Sequence, residues 1–301
     1  MKIINNDIFV NNLGLIPVII PIRTIRKGNR KIAVIVGMHG EETSGLLVIN
    51  KVIQKLSNKT NCEVNFILAA NTLSQTMRTR VSPTDLFDLN RVFPGNMGGE
   101  ISQRIAAKLL EFCLEMDLVI DLHTFDGQCP VVGIFMNSGN NSVKEDCLKS
   151  LSSMGVDCIW QLNFNSSDEV KMSGALGPIL CDKGVHSIAI EMPGHEIITN
   201  TQVDLITNGI VNIINNVPIK AKNTPIISKI NIRADFSGIF NSKIKVMSRV
   251  KKGQNIGNLI RMDDFKKISI MSPEDGLLVV NKNNHFVFTG EILASIGTKA
   301  H

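Results

Sequence analysis

Tyrosine is absent from the 301-residue sequence, and tryptophan occurs once. No phenolic hydroxyl is therefore available to any site in the chain. Also missing is an apolar run of the roughly 18–20 residues that a membrane-spanning helix needs. The opening Met1-Lys2-Ile3-Ile4-Asn5-Asn6-Asp7 turns polar before the apolar core of a signal peptide could form. A cytoplasmic protein without a membrane partner is expected. Cys62, Cys113, Cys129, Cys147, Cys158 and Cys181 are widely separated, and none belongs to a C-x-x-C pair. They read as reduced, mostly buried thiols rather than a disulfide framework or a cysteine zinc site. The net charge of +5 comes from Lys and Arg scattered along the chain rather than massed in a run or helical stripe. That argues against a nucleic-acid partner.

What is present is the composition of a soluble globular protein, with 44% hydrophobic and 20% charged residues. The length allows a sizeable core and exceeds the usual single domain, so a second, smaller unit is expected. Residues 31–37 (KIAVIVG) form a short β-branched run that reads as a buried strand. Ile49, Val52, Ile53 and Leu56 then recur at helical spacing, with Thr43 or Ser44 as cap, giving a helix over about 43–57. The pattern repeats with a strand at 64–70, a long connection at 71–98 and an amphipathic helix at 100–115. Connections of that length are usually functional or disordered. Further strands are expected at 117–122, 131–136 and 186–191, and helices near 142–153 and 200–215. Alternating strands and helices predict an α/β fold, an α/β/α sandwich with its sheet buried on both faces.

From Pro225 onward the texture changes to short strand-like runs between turn signals such as Lys252-Gly253-Gln254 and Pro273-Glu274-Asp275-Gly276. This predicts a small all-β unit. The boundary is placed in the polar stretch 216–223, giving a domain of residues 1–220 and a C-terminal domain of residues 221–301.

Gly37-Met38-His39-Gly40-Glu41-Glu42 stands where the first buried strand gives way to a helix. In open α/β sheets ligands bind beyond the carboxyl ends of the strands. Catalytic zinc takes three protein ligands and leaves a position for water, and His39 and Glu42 offer two of them. The third is available in Asp121-Leu122-His123-Thr124, at the end of another expected strand, where Asp121 could orient an imidazole. Either histidine could instead cap a helix or bind a backbone carbonyl. Within the long connection, Arg91 beside Asn90 suits a substrate carboxylate, because a guanidinium grips carboxylates in a fork. Glu191 ends an apolar strand, where a carboxylate must be paired or functional, and it is the expected base. His186 should point away from Glu191 and be structural, His195 stands just past Pro193-Gly194 within reach of a substrate, and Trp160 reads as core.

Four segments, GMHGEETSG at 37–45, DLNRVFPG at 88–95, DLHT at 121–124 and IEMPG at 190–194, together resemble the succinylglutamate desuccinylase and aspartoacylase family, a branch of the zinc carboxypeptidase superfamily. The resemblance covers most of residues 30–200. It implies a carboxypeptidase-like mixed sheet and one zinc per chain, held by His39, Glu42 and His123. It further implies that Asn90 and Arg91 anchor a carboxylate, that Glu191 shuttles the proton, and that Arg80, or in competition with it Arg78, polarises the scissile carbonyl. The C-terminal unit is similar to the family's β domain and so to biotinyl-lipoyl folds, but no Met-Lys-Met or comparable modifiable lysine stands at its hairpin. Several relatives use a tyrosine near the substrate, which this chain must lack or replace. The implied activity is hydrolysis of the amide of a small N-acyl amino acid. Alternatives are a carboxypeptidase-like hydrolase of short peptides and, from a different class, a non-catalytic binding protein. Self-association is left open by the sequence.

Overall fold

A computed structural model describes residues 2–56, 60–194, 196–217 and 223–300. The chain opens with β1 (Ile4–Asn5), a hairpin of β2 (Ile8–Leu13) and β3 (Ile16–Ile20), and β4 (Ile22–Arg26). Then β5 (Arg30–Ile35) leads to α1 (Ser44–Lys55), and β6 (Cys62–Ile67) to α2 (Thr72–Met77) and α3 (Ile101–Cys113). Next come β7 (Leu118–Phe125), β8 (Val132–Met136), α4 (Asn141–Met154), β9 (Cys158–Leu162), α5 (Ser167–Val170), α6 (Leu176–Asp182), β10 (His186–Pro193) and α7 (Asn200–Ile214). Beyond α7 there are only strands among the described residues: β11 (Ile226–Arg233), β12 (Gly238–Asn241), β13 (Arg249–Val250), β14 (Asn255–Arg261), β15 (Lys267–Met271), β16 (Gly276–Asn281), β17 (His285–Val287) and β18 (Ile292–Lys299).

The central sheet is mixed and has twelve strands, in the order β1-β4-β6-β5-β7-β10-β8-β9-β11-β18-β16-β13. Its middle strands β5, β7 and β10 run parallel, and they carry the β-branched runs Ile32-Ala33-Val34-Ile35 and Ile188-Ala189-Ile190 fully out of solvent. Two hydrophobic clusters cover its two faces. One contains Val48, Ile49 and Val52 of α1 with Ile206 and Ile210 of α7. The other contains Ile105 and Leu109 of α3 with Leu176 and Leu180 of α6. Helices on both faces, together with this apolar pattern, account for the burial of the sheet.

The helix α1 starts at one of the two expected cap residues. Thr43 holds the cap position without a side-chain bond, and Ser44 instead donates its hydroxyl to the carbonyl of Pro193 at 3.2 Å. The beginning of α1 is thereby tied to the end of β10. The connection at 71–98 is not structureless: Asn71 caps the short α2 by accepting from the Ser74 amide, and a 3-10 turn spans Leu89–Arg91.

The strands after residue 225 pack a third hydrophobic cluster around Phe240, Leu259 and Leu278, with a four-stranded sheet in the order β15-β14-β12-β17. They also extend the central sheet, because β11 pairs in parallel with β9 through Ile226 opposite Ile159 and Ile227 opposite Trp160. Residues 218–222, where the domain boundary was expected, lie outside the described residues. Among the described residues, no helix is long and apolar enough to cross a membrane.

Candidate metal centre and pocket

Just past β5 the chain passes through Gly37 with φ 70°, a backbone conformation that glycine adopts without strain, and His39 stands two residues on. Gly40 then passes so close to α2 that a Cβ there would stand 2.0 Å from the carbonyl oxygen of Ser74. Its amide donates to the Thr79 carbonyl at 2.8 Å. These two glycines bend the turn so that His39 and Glu42 face one point. Glu42 sits in the turn ahead of α1 rather than within the helix.

His123 lies inside β7 and reaches the same point from the sheet. One Glu42 oxygen is 2.7 Å from His39 Nδ1, and the other is 2.9 Å from His123 Nδ1 and accepts from the Thr124 amide at 3.1 Å. The other ring nitrogens are held by carboxylates. His39 Nε2 donates to Asp88 at 3.1 Å and His123 Nε2 to Asp121 at 2.9 Å. Asp121 is two residues before His123 on one strand and therefore shares its face. With Nε2 protonated, each neutral ring turns its Nδ1 lone pair toward the Glu42 carboxylate.

That arrangement calls for positive charge between the three groups. Burial opposes charge on all of them, yet the imidazoles hold Glu42 well below the usual carboxylate range. Burial would lower both histidines, but Glu42 and Asp88 raise His39, and Asp121 and Glu42 raise His123. The three ligand atoms lie within 4.8 Å of one another. Two imidazole nitrogens, one carboxylate oxygen and an outer carboxylate on each ring form a donor set that fits a divalent cation.

Glu191 on β10 is the register partner of His123 on β7. Its Oε2 is shut off from solvent and has no hydrogen-bond partner among the described residues. Burial raises its pKa above the ordinary carboxyl range, opposed by His123 and Lys229 and assisted by the charge of Glu42.

Arg80 reaches the centre from the long connection. Its guanidinium donates to Asp88 at 2.9 Å and lies 3.7 Å from Glu42. Arg78 does not join it, because it ends α2 in the left-handed conformation, φ 52°, and is exposed away from the cavity wall. Arg91 lines the cavity and donates to the carbonyl of Asn90 at 2.7 Å. The Asn90 amide is 3.4 Å from His123 Nε2, and its Oδ1 accepts from the Leu176 amide at 3.0 Å. Asn90 thus also ties the connection to α6. His186 faces away, 3.4 Å from Asp146. His195 lies outside the described residues.

Beside the centre opens a cavity of about 750 Å³, within the range of small-molecule pockets. Its wall includes residues that motif reading did not reach: Asp168, Lys229, Asn231, Arg233, Lys282 and Glu291. Trp160 is core and wall at once, 7% exposed and facing the cavity. Asp88, hydrogen-bonded to both His39 and Arg80, was also missed as an individual residue, although it begins the DLNR segment. All six cysteines are free and buried.

Fold and geometry together define an α/β protein with a three-residue candidate metal centre at the strand ends of a mixed sheet, opening into a pocket. The chain belongs to the succinylglutamate desuccinylase/aspartoacylase family, whose catalytic-domain model matches residues 29–212. Over 110 residues it is 32% identical to an N-alpha-acetyl-L-2,4-diaminobutyric acid deacetylase of Halomonas elongata, a stretch that spans 36% of this chain and 32% of that one. Among solved structures, an aspartoacylase family protein from Mesorhizobium loti superposes with a TM-score of 0.83 at 21% identity, covering 99% of this chain and 95% of the other. The product-bound ectoine utilization protein EutE (DoeB) of Ruegeria pomeroyi gives 0.81 at 18% identity, covering 94% and 90%. A succinylglutamate desuccinylase/aspartoacylase from Rhodobacter sphaeroides gives 0.80 at 20%, covering 98% and 94%. These likenesses establish the fold; the Halomonas elongata relative is a deacetylase by name.

Proposed function

We propose that this chain is a zinc-dependent hydrolase that cleaves the amide of a small N-acyl amino acid, with His39, Glu42 and His123 holding one zinc ion. The observation that carries the reading is the convergence of two carboxylate-backed imidazoles and Glu42 beside an unpartnered glutamate oxygen. When bound, zinc supplies Lewis acidity that polarises a carbonyl and brings the pKa of water toward neutrality.

The remaining chemistry belongs to the chain's own residues. Asp88 and Asp121 fix the tautomer and orientation of the two imidazoles. Glu191 takes the proton of the attacking water on its free Oε2 and returns it to the departing nitrogen, a role suited to a carboxyl raised toward working pH. Arg91 receives the carboxylate of the amino acid, with Asn90 fixing the turn that presents it. Arg80, rather than Arg78, faces the position where the carbonyl oxygen gains charge. The products are a carboxylic acid and a free amino acid or related amine.

Residues 221–301 are read as a barrel-sandwich unit of biotinyl-lipoyl kind, set against a hydrolase unit of residues 1–220. The cavity wall supplied by β11, β17 and β18 supports a small acylated amino acid over the open cleft that a short-peptide carboxypeptidase would need. We place the enzyme in the cytoplasm. Release of free amine from a panel of N-acyl amino acids tests the reading. At least one member should be hydrolysed, and Arg91→Ala should raise KM for carboxylate-bearing substrates while sparing carboxylate-free amides. Equal losses on both kinds of amide would remove Arg91 from the anchoring role.

A further inference from the structure

The register of the sheet places His123, Glu191, Ile134, Trp160 and Lys229 on one face. Glu191 is opposite His123, Ala189 opposite Ile134, Ile134 opposite Trp160, and Trp160 opposite Ile227. Lys229 lies two residues beyond Ile227 and therefore points to the same side. Four strand spacings of about 4.8 Å, roughly 19 Å in all, separate the strands of His123 and Lys229. The floor between them carries the apolar side chains of Ile134, Met136, Trp160 and Leu162.

The cations of this cavity differ in what they are paired with. Arg80 is paired with Asp88, Arg233 with Asp168 and Lys282 with Asp126. Lys171 is exposed at the rim. Lys229 and Arg91 are part-buried, and no described carboxylate lies within ion-pairing distance of either. Lys229 rests its ammonium 3.4 Å above the centroid of the Trp160 ring, which engages one side of a group that has three donors. The Trp160 Nε1 is also buried without an acceptor among the described residues. Neighbours Asn231 and Arg233 on the same strand both bind Asp168, so an acid is available to this strand but is committed elsewhere.

An unpaired charge held against an apolar floor is costly. Among the described cavity residues, Arg91 beside the metal centre and Lys229 across an apolar stretch from it are the part-buried cations without an ion-paired carboxylate. We infer that Lys229 is a specificity-determining residue that receives a second anionic group of the substrate, carried at the far end of an acyl chain whose methylenes lie on Ile134, Met136 and Leu162. The preferred acyl group is thus an ω-carboxyacyl chain longer than four carbons. This rests on the amide-hydrolase reading for the placement of the acyl group, but its test does not depend on turnover. Burial draws the Lys229 pKa down to about 8, which still leaves it mostly protonated at neutral pH.

The experiment is calorimetric titration of the metal-loaded full-length protein with linear dicarboxylates of four to eight carbons, each compared with the monocarboxylate of the same length. Wild type should bind a dicarboxylate of more than four carbons at least about tenfold more tightly than its monocarboxylate, the scale of one charge-assisted hydrogen bond. Lys229→Met should abolish that ratio without changing monocarboxylate affinity, and Lys229→Arg should restore part of it. Lys229→Gln, which keeps a polar end, serves as the second neutral variant if Lys229→Met does not fold. No advantage at any length beyond four carbons would overturn the inference, as would an advantage that survives in the neutral variants. Equal loss for both ligand classes would also overturn it, leaving Lys229 as a counter-charge for Glu191. Failure of the hydrolase reading would appear separately, as absence of amide cleavage in a wild-type protein that retains the binding ratio.

Discussion

At the scale of single residues, the centre is organised by what each polar atom lacks as much as by what it binds. Glu42 serves both imidazoles, Asp88 and Asp121 hold the rings from behind, and Glu191 keeps a buried oxygen without a partner. Glu191→Gln keeps the shape and removes the proton acceptor, so turnover should fall by about 10²–10⁴-fold with zinc content unchanged, measured by rate assay and metal analysis on one preparation. Lys229 carries a stability signature. Its folded-state pKa of about 8 is below the unfolded value, so between about pH 8 and 10.5 the unfolded chain binds more protons and stability rises with pH. Lys229→Met should therefore raise Tm by a few degrees at pH 7, with the gain shrinking by pH 9.5. A gain that is constant across that range would contradict the burial cost.

At the scale of elements, the turn between β5 and α1 sets the geometry. Gly40→Ala would drive a Cβ into the backbone of Ser74 and should destabilise the fold by about 1–3 kcal/mol, lowering zinc occupancy because His39 and Glu42 flank the distortion. Chemical denaturation and metal analysis check both effects. This turn was legible in the sequence because a β-branched run, a glycine and a helical period follow one another between residues 31 and 56. Glu191 was legible for a similar reason, as a carboxylate ending the apolar strand Ile188-Ala189-Ile190. The helix α2 was not, since six residues give less than two turns of periodicity and its Asn71 cap precedes no apolar stripe. Arg78 and Arg80 could not be separated by spacing. Their division depends on the left-handed end of α2, which turns one side chain to solvent and sends the other toward Asp88.

At the scale of the whole molecule, the pocket is assembled from segments far apart in the chain. The alternation of strands and helices up to residue 214 and the all-strand texture after 225 could be read directly, because both are local patterns. The joining of the two could not. It depends on β11 pairing with β9, residue 226 opposite residue 159, and no local pattern encodes a partner so distant. For the same reason Lys229, Asn231, Arg233 and Lys282 escaped motif reading, although they line the wall opposite the metal centre. We propose that this wall and the His39–Glu42–His123 centre together form a zinc amidohydrolase. The most direct test measures zinc per chain and amine release from N-acyl amino acids before chelation, after chelation and after zinc is returned. About one zinc per chain is expected, with activity lost on its removal and regained on its return. Full amidase activity in the metal-free chain would contradict the proposal.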